Sequence, residues 1–416
     1  MFQVLASAWA LLLGMGLLMV GNGMQGTLLG IRGDIENFST LEMSIVVSAY
    51  FAGFLGGSRM APHMIRRVGH VRVFAALASL ISAVMILYPT VVDPWVWTLA
   101  RVVIGFCFSA VYVTAESWLN NAATNENRGQ ALSLYMIIQT IGIVLAQALL
   151  LTADPSGYVL FVIPSILVSI AVTPILLSIS PTPAFDTTKP MSLRALFQVS
   201  PLGCTGMFLL GGVFAAQFGM SAVYGTAADL SVAQISTFVS TFFIGAIITQ
   251  YPIGWLSDRM DRRQLIVIAS ALGAGACVIG GLFGAEFWFL LVAAFLMGGM
   301  ANPLYSLLLA HTNDYLEPED MAAASGGMIF INGLGAIAGP VITGWAMDVV
   351  GPAGFFIFAG SLFAALTVYG LYRSTRRPAP SVEDTGSYVA VTPTASPVAV
   401  DAAIEYAQEY AQTDDQ

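Results

Sequence analysis

Charged residues are scarce in this sequence. Asp, Glu, Lys and Arg make up only 9% of the 416 residues, whereas a soluble domain carries about 25%. Apolar residues make up 57%, and the mean hydropathy is +0.80. These values exclude a soluble globular protein. The net charge of −9 does not by itself indicate that the chain binds a basic partner, because seven of the acidic residues lie after residue 382.

Histidine and cysteine are also rare, with three of each. Cys107, Cys204 and Cys277 all lie inside apolar runs, and their spacing is not typical of a metal site or a disulfide framework. The sequence also lacks a Ser-His-Asp set and a phosphate-binding glycine loop with a lysine. We therefore predict no enzyme activity, no cofactor and no metal site.

Long apolar runs are the dominant feature that is present. Crossing ~30 Å of hydrocarbon takes about 20 apolar residues in a helix, and only helices and closed barrels satisfy their backbone groups in lipid. The runs are continuous and do not alternate, so they predict an all-α integral membrane protein. Twelve runs are long enough, near residues 8–30, 41–60, 71–92, 95–118, 129–151, 157–178, 201–224, 232–256, 265–284, 287–311, 322–346 and 352–372.

The first half of the sequence repeats in the second half. At a shift of 192 residues, Gln25 aligns with Gln217 and Gly53 aligns with Gly245. Further matched pairs, some at a shift of 193, are Ser44 and Ser236, Ser48 and Ser240, Gly105 and Gly298, and Tyr112 and Tyr305. The repeat predicts two pseudo-symmetric six-helix bundles, related in parallel because six is an even number.

This repeat divides the chain into four parts. We expect one bundle in residues 1–178, a proline-interrupted linker in 179–200, the second bundle in 201–373 and an acidic tail in 374–416. The tail is rich in Pro, Thr and Ala and has too little apolar surface to fold alone. We therefore predict that the tail is disordered.

A charged hairpin lies between two of the runs in the second half. It reads GWLSDRMDRR, from Gly254 to Arg263. The pattern G-x-L-x-D-R-x-x-R-R between apolar spans resembles the loop signature of the major facilitator superfamily, a family of secondary transporters. The resemblance implies a twelve-helix fold of that family and a gating loop, with Gly254, Asp258, Arg259, Arg262 and Arg263 as its residues.

The matching hairpin of the first half departs from this pattern. It reads APHMIRRVGHVR, and Arg66 takes the position of Asp258. This copy has lost its acid. The positive-inside rule accounts for its arginines, because they keep this loop on the cytoplasmic side, and no gating role is needed to explain them.

The fourth run carries two ionisable residues well inside the span. Arg101, Gly105, Tyr112 and Glu116 are spaced by four, seven and four residues, which places them on one stripe of a helix. A charge at such a depth costs ~2.5–3.5 kcal/mol even on a lenient insertion scale. We hypothesise that Arg101 serves coupling or contacts an anion. The alternatives are snorkelling of Arg101 to the near surface and, for Glu116, an ion pair with Arg67 or Arg128.

Two more stretches carry the resemblance. R-x-x-x-G, starting at Arg101, resembles the superfamily's fourth-helix motif, whose arginine is associated with proton coupling. AESWLN at residues 115–120, with RRVGH before it and SDRMDRR after it, is similar to the YcaD-like branch. The resemblance covers residues 1 to about 375 and implies alternating access to a cavity between the two bundles.

Polar residues within the spans are candidates for the wall of that cavity. Asn22 and Gln25 are neighbours on the first helix, and Gln217 is the repeat partner of Gln25. Such amides either join helices or line a cavity. The candidates for the substrate pathway or coupling are Asn22, Gln25, Arg101, Tyr112, Glu116, Tyr135, Gln139, Gln217, Tyr305 and Asn332.

We interpret the chain as a secondary active transporter of a small solute in the bacterial inner membrane. Its expected partners are that solute, a coupling proton and the lipid bilayer, and we expect a monomer. The competing interpretation is a protein of this fold that does not transport and instead binds a pigment, a lipid or a protein in assembly or regulation. Solute flux in liposomes distinguishes the two.

The distribution of positive charge predicts the topology. Arg32 lies in an odd-numbered connection and Arg101 within a span, whereas the other thirteen Lys and Arg lie in even-numbered connections or the tail. By the positive-inside rule, both termini should be cytoplasmic. A periplasmic reporter enzyme fused after residue 375 should be inactive, and activity of that fusion would reverse the assignment.

Overall fold

A computed structural model describes the chain at residues 2–122, 128–177, 191–376, 386 and 388–404. The regular structure of these residues is helical. The α-helices are α1 (Phe2–Ile35), α2 (Thr40–Val68), α3 (His70–Thr90), α4 (Pro94–Ala122), α5 (Arg128–Leu149), α6 (Val159–Leu177), α7 (Leu193–Val199), α8 (Pro201–Ala215), α9 (Ser221–Ala227), α10 (Val232–Ser257), α11 (Arg262–Phe283), α12 (Phe287–Asn313), α13 (Pro318–Val350) and α14 (Gly354–Ser374).

The described residues contain twelve helical segments long and apolar enough to cross a membrane. This confirms the predicted all-α membrane fold. The seventh span is not a single α-helix, because the π-helical turn Ala216–Met220 joins α8 to α9. The short α7 lies in the predicted linker and is capped by Ser192, whose Oγ accepts the Ala195 N–H. The linker residues 179–190 lie outside the described part.

Matched helix starts show that the sequence repeat is also structural. At the start of α2, the Ser39 hydroxyl accepts the Glu42 N–H, and the Glu42 carboxylate accepts the Ser39 N–H at 2.8 Å. Ser231 and Gln234 form the same capping box at the start of α10. Such a box satisfies two backbone donors that a helix start leaves unpaired.

Glycines bring two helix pairs into close contact at matching places. Gly53 on α2 faces the carbonyl oxygen of Val102 on α4, where a Cβ atom would lie 1.9 Å from that oxygen. Gly245 on α10 faces the carbonyl oxygen of Phe295 on α12, where the distance would be 2.1 Å. Small residues let helix backbones approach closely in membranes. The same packing is therefore built twice, once in each half.

Each half has its own apolar core. The first core is formed mainly by residues of α1–α6, including the fully buried Trp97 and Phe108, and is joined by a few residues of α9 and α10. The second core is formed mainly by residues of α8–α14, including Phe238 and Phe355, and is joined by residues of α2, α5, α7 and the chain after α14. The two cores correspond to the two predicted bundles.

The bundles pack together at the end opposite to the α2–α3 and α10–α11 connections, and the contact of α2 with α13 continues toward those connections, where Arg59 lies over the ring of Phe330. We call the end with the α2–α3 and α10–α11 connections the hairpin end and the opposite end the far end. At the far end, Gly30 of α1 lies against Ala222 of α9, and Gly344 of α13 lies against Ser44 of α2; a Cβ atom on these glycines would come within 2.6 and 2.7 Å of the facing residue. Contacts this tight close the far end.

Part of the chain after α14 differs from the predicted disordered tail. Residues 388–404, here called the tail segment, pack at the hairpin end, and residues 397–404 are helical. Val391, Ala395 and Val400 are buried in the second core. The prediction of disorder considered only whether the tail could fold alone. In the structure, its small apolar side chains are buried against the bundles. The tail residues 377–385, 387 and 405–416 lie outside the described part.

The close α2–α4 contact gives a stability prediction. Gly53→Ala should destabilise the protein by about 1–3 kcal/mol, because the added methyl group overpacks the contact with Val102. The measurement is the thermal unfolding midpoint of the purified protein in detergent. Gly275→Ala in α11 is the control, since no atom lies within 4 Å of the added Cβ and alanine favours the helix. Equal midpoints for Gly53→Ala and the unchanged protein would contradict the close contact.

Candidate functional site

A cavity of about 230 Å³ lies between the two bundles. α1, α2, α4 and α5 supply one wall, α10 and α12 supply polar groups from the other side, and residues 391–394 of the tail segment lie at the hairpin-end opening. Its lining is mainly apolar, and the polar side chains are few. Those from the bundles that carry an amide, a phenol or a guanidinium are Asn22, Tyr50, Arg101, Tyr112, Gln139, Gln147, Gln250 and Asn302.

Arg101 is the charged residue of this lining. It is only 5% exposed, and its Nη1 donates to Gln25 Oε1 at 3.1 Å. The guanidinium also lies over the ring of Tyr50, at 4.5 Å from its centre. Its side chain therefore lies in the cavity wall and is not directed to the membrane surface.

A hydrogen-bonded group of four side chains surrounds the guanidinium. Gln25 Nε2 donates to Asn22 Oδ1 at 3.3 Å, and Tyr50 OH donates to the same oxygen at 3.3 Å. Asn22 Nδ2 donates to Tyr112 OH at 3.2 Å. These bonds join α1, α2 and α4. The sequence left open whether the amides join helices or line a cavity. Asn22 does both, whereas Gln25 joins helices and is not part of the cavity lining.

Among the described residues, no acidic side chain forms an ion pair with Arg101. Within the described part of the chain, the ion pairs involve other arginines, and Arg101 Nε is buried without a hydrogen-bond partner. A buried charge is costly unless it is paired. The cavity is therefore a positively charged, partly unsatisfied site that suits a negatively charged group.

Glu116 lies toward the hairpin end and is 1% exposed. Tyr135 OH donates to Glu116 Oε1 at 3.0 Å, and the backbone N–H of Ser396 donates to Oε2 at 2.7 Å. Arg67, one of the two predicted ion-pair partners, is exposed. The side chain of the other, Arg128, lies outside the described part. Two neutral donors, one of them from the tail segment, thus hold this carboxylate.

The remaining predicted pathway residues fall into two groups. Gln139 lines the cavity. Gln217 is fully buried in the π-helical turn, and neither of its amide atoms has a hydrogen-bond partner among the described residues. Tyr305 is fully buried, and Asn332 Nδ2 donates to the carbonyl oxygen of Met207 at 3.0 Å. These three lie inside the second bundle rather than in the cavity lining.

Of the eight lining side chains that carry an amide, a phenol or a guanidinium, four were not predicted from the sequence. Gln147, Gln250 and Asn302 are amides within apolar spans, which is the signal that selected Asn22. A search of every span for amides would therefore have found all three residues. Tyr50 gives no such signal, because a tyrosine in an apolar run is equally typical of a core residue.

The charged hairpin of the second half is tied to neighbouring elements. Arg262 forms an ion pair with Asp314 after α12, and its Nε donates to Ser257 Oγ at 3.1 Å. Burial raises the pKa of Asp314, and the guanidinium of Arg262 opposes that rise. Arg263 pairs with Asp261 at 2.8 Å. The hairpin is therefore fixed to α12 by a buried ion pair.

The other three predicted gating residues lie against different groups. Asp258 accepts the backbone N–H of Tyr388 at 2.8 Å and lies 3.6 Å from Arg262. Gly254 lies beside the ring of Tyr388. Arg259 is exposed and lies over the ring of Trp255, at 4.2 Å from its centre. The hairpin therefore contacts the tail segment as well as its own bundle.

A family model described as Major Facilitator Superfamily matches residues 11–228 and 202–398 of the chain. Among curated proteins, the chain is 26% identical over 357 residues to an uncharacterized MFS-type transporter YcaD of Escherichia fergusonii, which covers 85% of this chain and 92% of that protein. A YcaD protein of Escherichia coli is 25% identical over the same shares.

Solved structures share the fold. The chain is similar to a mutant of the nucleoside transporter NupG, with a TM-score of 0.77, 15% sequence identity, and coverage of 88% of this chain and 98% of that one. It is also similar to FucP in the outward conformation, with a TM-score of 0.55, 13% identity, and coverage of 88% and 98%.

Proposed function

The chain belongs to the major facilitator superfamily of transporters, and from that premise we propose that it moves a small anionic or zwitterionic solute by alternating access. The solute binds in the cavity between the bundles and contacts Arg101. Transport follows when the two bundles rock about that site and expose it to one side and then to the other.

Arg101 is the observation that carries this proposal. It lies in the cavity wall, is oriented by Gln25 and Tyr50, and has no carboxylate within ion-pair distance among the described residues. An anionic group of the solute would supply the missing charge. Because guanidinium is planar and presents paired donors, it is well suited to a carboxylate or a phosphate.

The closed far end and the cavity position support the alternating-access part of the proposal. Gly30 and Gly344 pack tightly against the facing bundle at the far end, whereas the tail segment enters the cavity from the hairpin end. With the topology predicted from the positive charges, the hairpin end is cytoplasmic. The structure would then correspond to an inward-facing state in the bacterial inner membrane.

We further propose that a proton drives the transport and that Glu116 carries it. Glu116 is the buried carboxylate of α4, and it accepts hydrogen bonds from the hydroxyl of Tyr135 and the backbone N–H of Ser396. Arg101 stays protonated at any working pH, so it cannot itself release a proton. Fifteen residues of helix separate the two by about 22 Å, so each acts on its own.

Flux measurements with the purified protein in liposomes test the transporter class. The probes are a monocarboxylate, a dicarboxylate, a zwitterionic amino acid and an uncharged nucleoside. We expect uptake of at least one charged probe and none of the nucleoside. Uptake of the nucleoside alone would contradict the anion proposal. No flux of any probe, with a bound lipid or pigment copurifying, would favour the competing non-transporting interpretation.

Arg101→Lys tests the contact with the solute. We expect uptake of the charged probe to fall at least about tenfold, because a point charge replaces the planar fork and loses a charge-assisted hydrogen bond of ~1.5–3 kcal/mol. The measurement is the initial uptake rate in liposomes. Arg72→Lys, at an exposed arginine of α3, is the matched control and should transport at the unchanged rate. Unchanged uptake by both Arg101→Lys and Arg101→Ala would assign no solute contact to Arg101.

Glu116→Gln tests the proton. The variant cannot ionise at this position, so the uptake rate should depend less on pH than it does in the unchanged protein. The measurement is uptake across pH 5–8 at a fixed solute gradient. Glu286→Gln, at an exposed acid before α12, should keep the full pH dependence. A pH profile of Glu116→Gln that matches that of the control would assign the proton to another group or to the solute.

A further inference from the structure

The tail segment lies between the hairpin-end halves of the two bundles and makes hydrogen bonds to both. On the side of the second bundle, Ser306 of α12 binds the backbone of Val391 twice, donating to its carbonyl oxygen at 3.2 Å and accepting its N–H at 2.9 Å. Gln250 of α10 donates to Tyr388 OH at 2.9 Å. These bonds fix the start of the segment to α10 and α12.

On the side of the first bundle, the segment is held by Glu116. The backbone N–H of Ser396 donates to the Glu116 carboxylate at 2.7 Å, and both residues are at least 95% buried. Hydrogen bonds with one charged partner are about twice as strong as neutral ones. Between these two attachments, residues 391–394 line the cavity itself.

The charged hairpin completes the attachment. Asp258 accepts the Tyr388 N–H, and Arg262 donates to the carbonyl oxygen of Gly386. The ring of Tyr388 occupies the space beside Gly254, where a Cβ atom would come within 2.7 Å of it. Three of the five residues that the family signature assigns to gating, Gly254, Asp258 and Arg262, thus contact the start of the tail segment or Gly386 just before it.

We propose that this opening is a binding site for the tail segment and that residues 388–404 act there as an autoinhibitory plug. Alternating access requires the hairpin-end halves of the bundles to meet when the far end opens. With the segment between them, α4 cannot approach α10 and α12, and the cavity is obstructed from the hairpin end. The segment therefore holds the protein in the state with a closed far end. This inference rests on the alternating-access part of the proposed function, not on the charge of the solute.

A cross-link tests whether the segment docks. In a full-length chain with Cys107, Cys204 and Cys277 replaced by alanine, the pair Ser306→Cys and Val391→Cys should form a disulfide on mild oxidation, detected by mass spectrometry. The pair Ser306→Cys and Val398→Cys is the control, because it moves the second thiol seven residues along the segment, and it should remain reduced. Absence of the first disulfide, or equal yields for both pairs, would overturn docking.

Distance measurements test whether docking holds one state. Spin labels at Arg67→Cys and Gln264→Cys report the opening of the hairpin end. Arg67 lies in the first hairpin, Gln264 directly follows the second, and both side chains are exposed. The full-length chain should give one long distance, and the chain ending at residue 385 should add a population at shorter distance. The chain ending at residue 404 is the control and should match the full-length chain, since it keeps the segment and loses only residues 405–416, four of which are acidic. Identical distributions for all three chains would overturn the plug.

A synthetic peptide gives the same test without relying on one truncated chain. Added to the chain that ends at residue 385, a peptide of residues 386–404 should restore the long distance, and a scrambled peptide should not. Glu116→Gln in the truncated chain should raise the peptide concentration needed by about tenfold, because the Ser396 N–H loses a charged acceptor. No restoration, or equal effects of the two peptides, would count against a specific binding site.

Uptake separates failure of this inference from failure of the proposed function. If the tail segment inhibits, the chain ending at residue 385 should take up the transported probe at least severalfold faster than the chain ending at residue 404. Equal uptake by the two chains would overturn inhibition and leave the transporter proposal intact. If neither chain moves any probe while the disulfide and distance results are positive, the segment docks as proposed and the transporter proposal fails.

Discussion

Hydrocarbon offers no hydrogen-bonding partner, and this constraint shapes the whole structure. Every backbone group in a span must be satisfied within the protein, so the chain crosses as helices, and the helices must be held by something other than the hydrophobic effect. Close packing at Gly53 and Gly245 does this in each bundle. Because each bundle satisfies its backbone groups internally, the two need to meet only along part of their facing surfaces, at the far end and along α2 and α13. The cavity between them is the consequence.

The same constraint gives meaning to the charges inside the spans. Arg101 is held by the Gln25 amide and the Tyr50 ring and forms no ion pair within the described part of the chain, although its burial makes an uncompensated charge costly. Glu116 keeps two neutral donors instead. An arrangement selected only for stability would have paired these residues or replaced them with apolar ones. Their separation supports the two roles proposed above, a solute contact for Arg101 at the cavity and a titrating group for Glu116 nearer the hairpin end.

The sequence predicts the features that depend on a single helix or on composition, and it misses those that depend on how helices rotate against each other. The twelve spans, the repeat and the stripe from Arg101 to Glu116 follow from local periodicity. The equivalence of Gln25 and Gln217 suggested a symmetric pair facing the cavity, but a π-helical turn changes the helix phase around Gln217, and Gln250 and Asn302 supply the polar groups on that side. The tail segment was missed for a related reason, since its burial depends on a surface that forms only when both bundles are folded.

The two hairpins are unequal, and that inequality bears on where the tail segment binds. In the second half, Asp258 presents an acceptor to the backbone N–H of Tyr388. In the first half, the equivalent position is Arg66, which has no acceptor atom. A chain entering between the bundles therefore finds a carboxylate acceptor for its backbone N–H at the second hairpin, in Asp258, and another deeper in the first bundle, in Glu116. The path of the tail segment from one carboxylate to the other crosses the cavity opening.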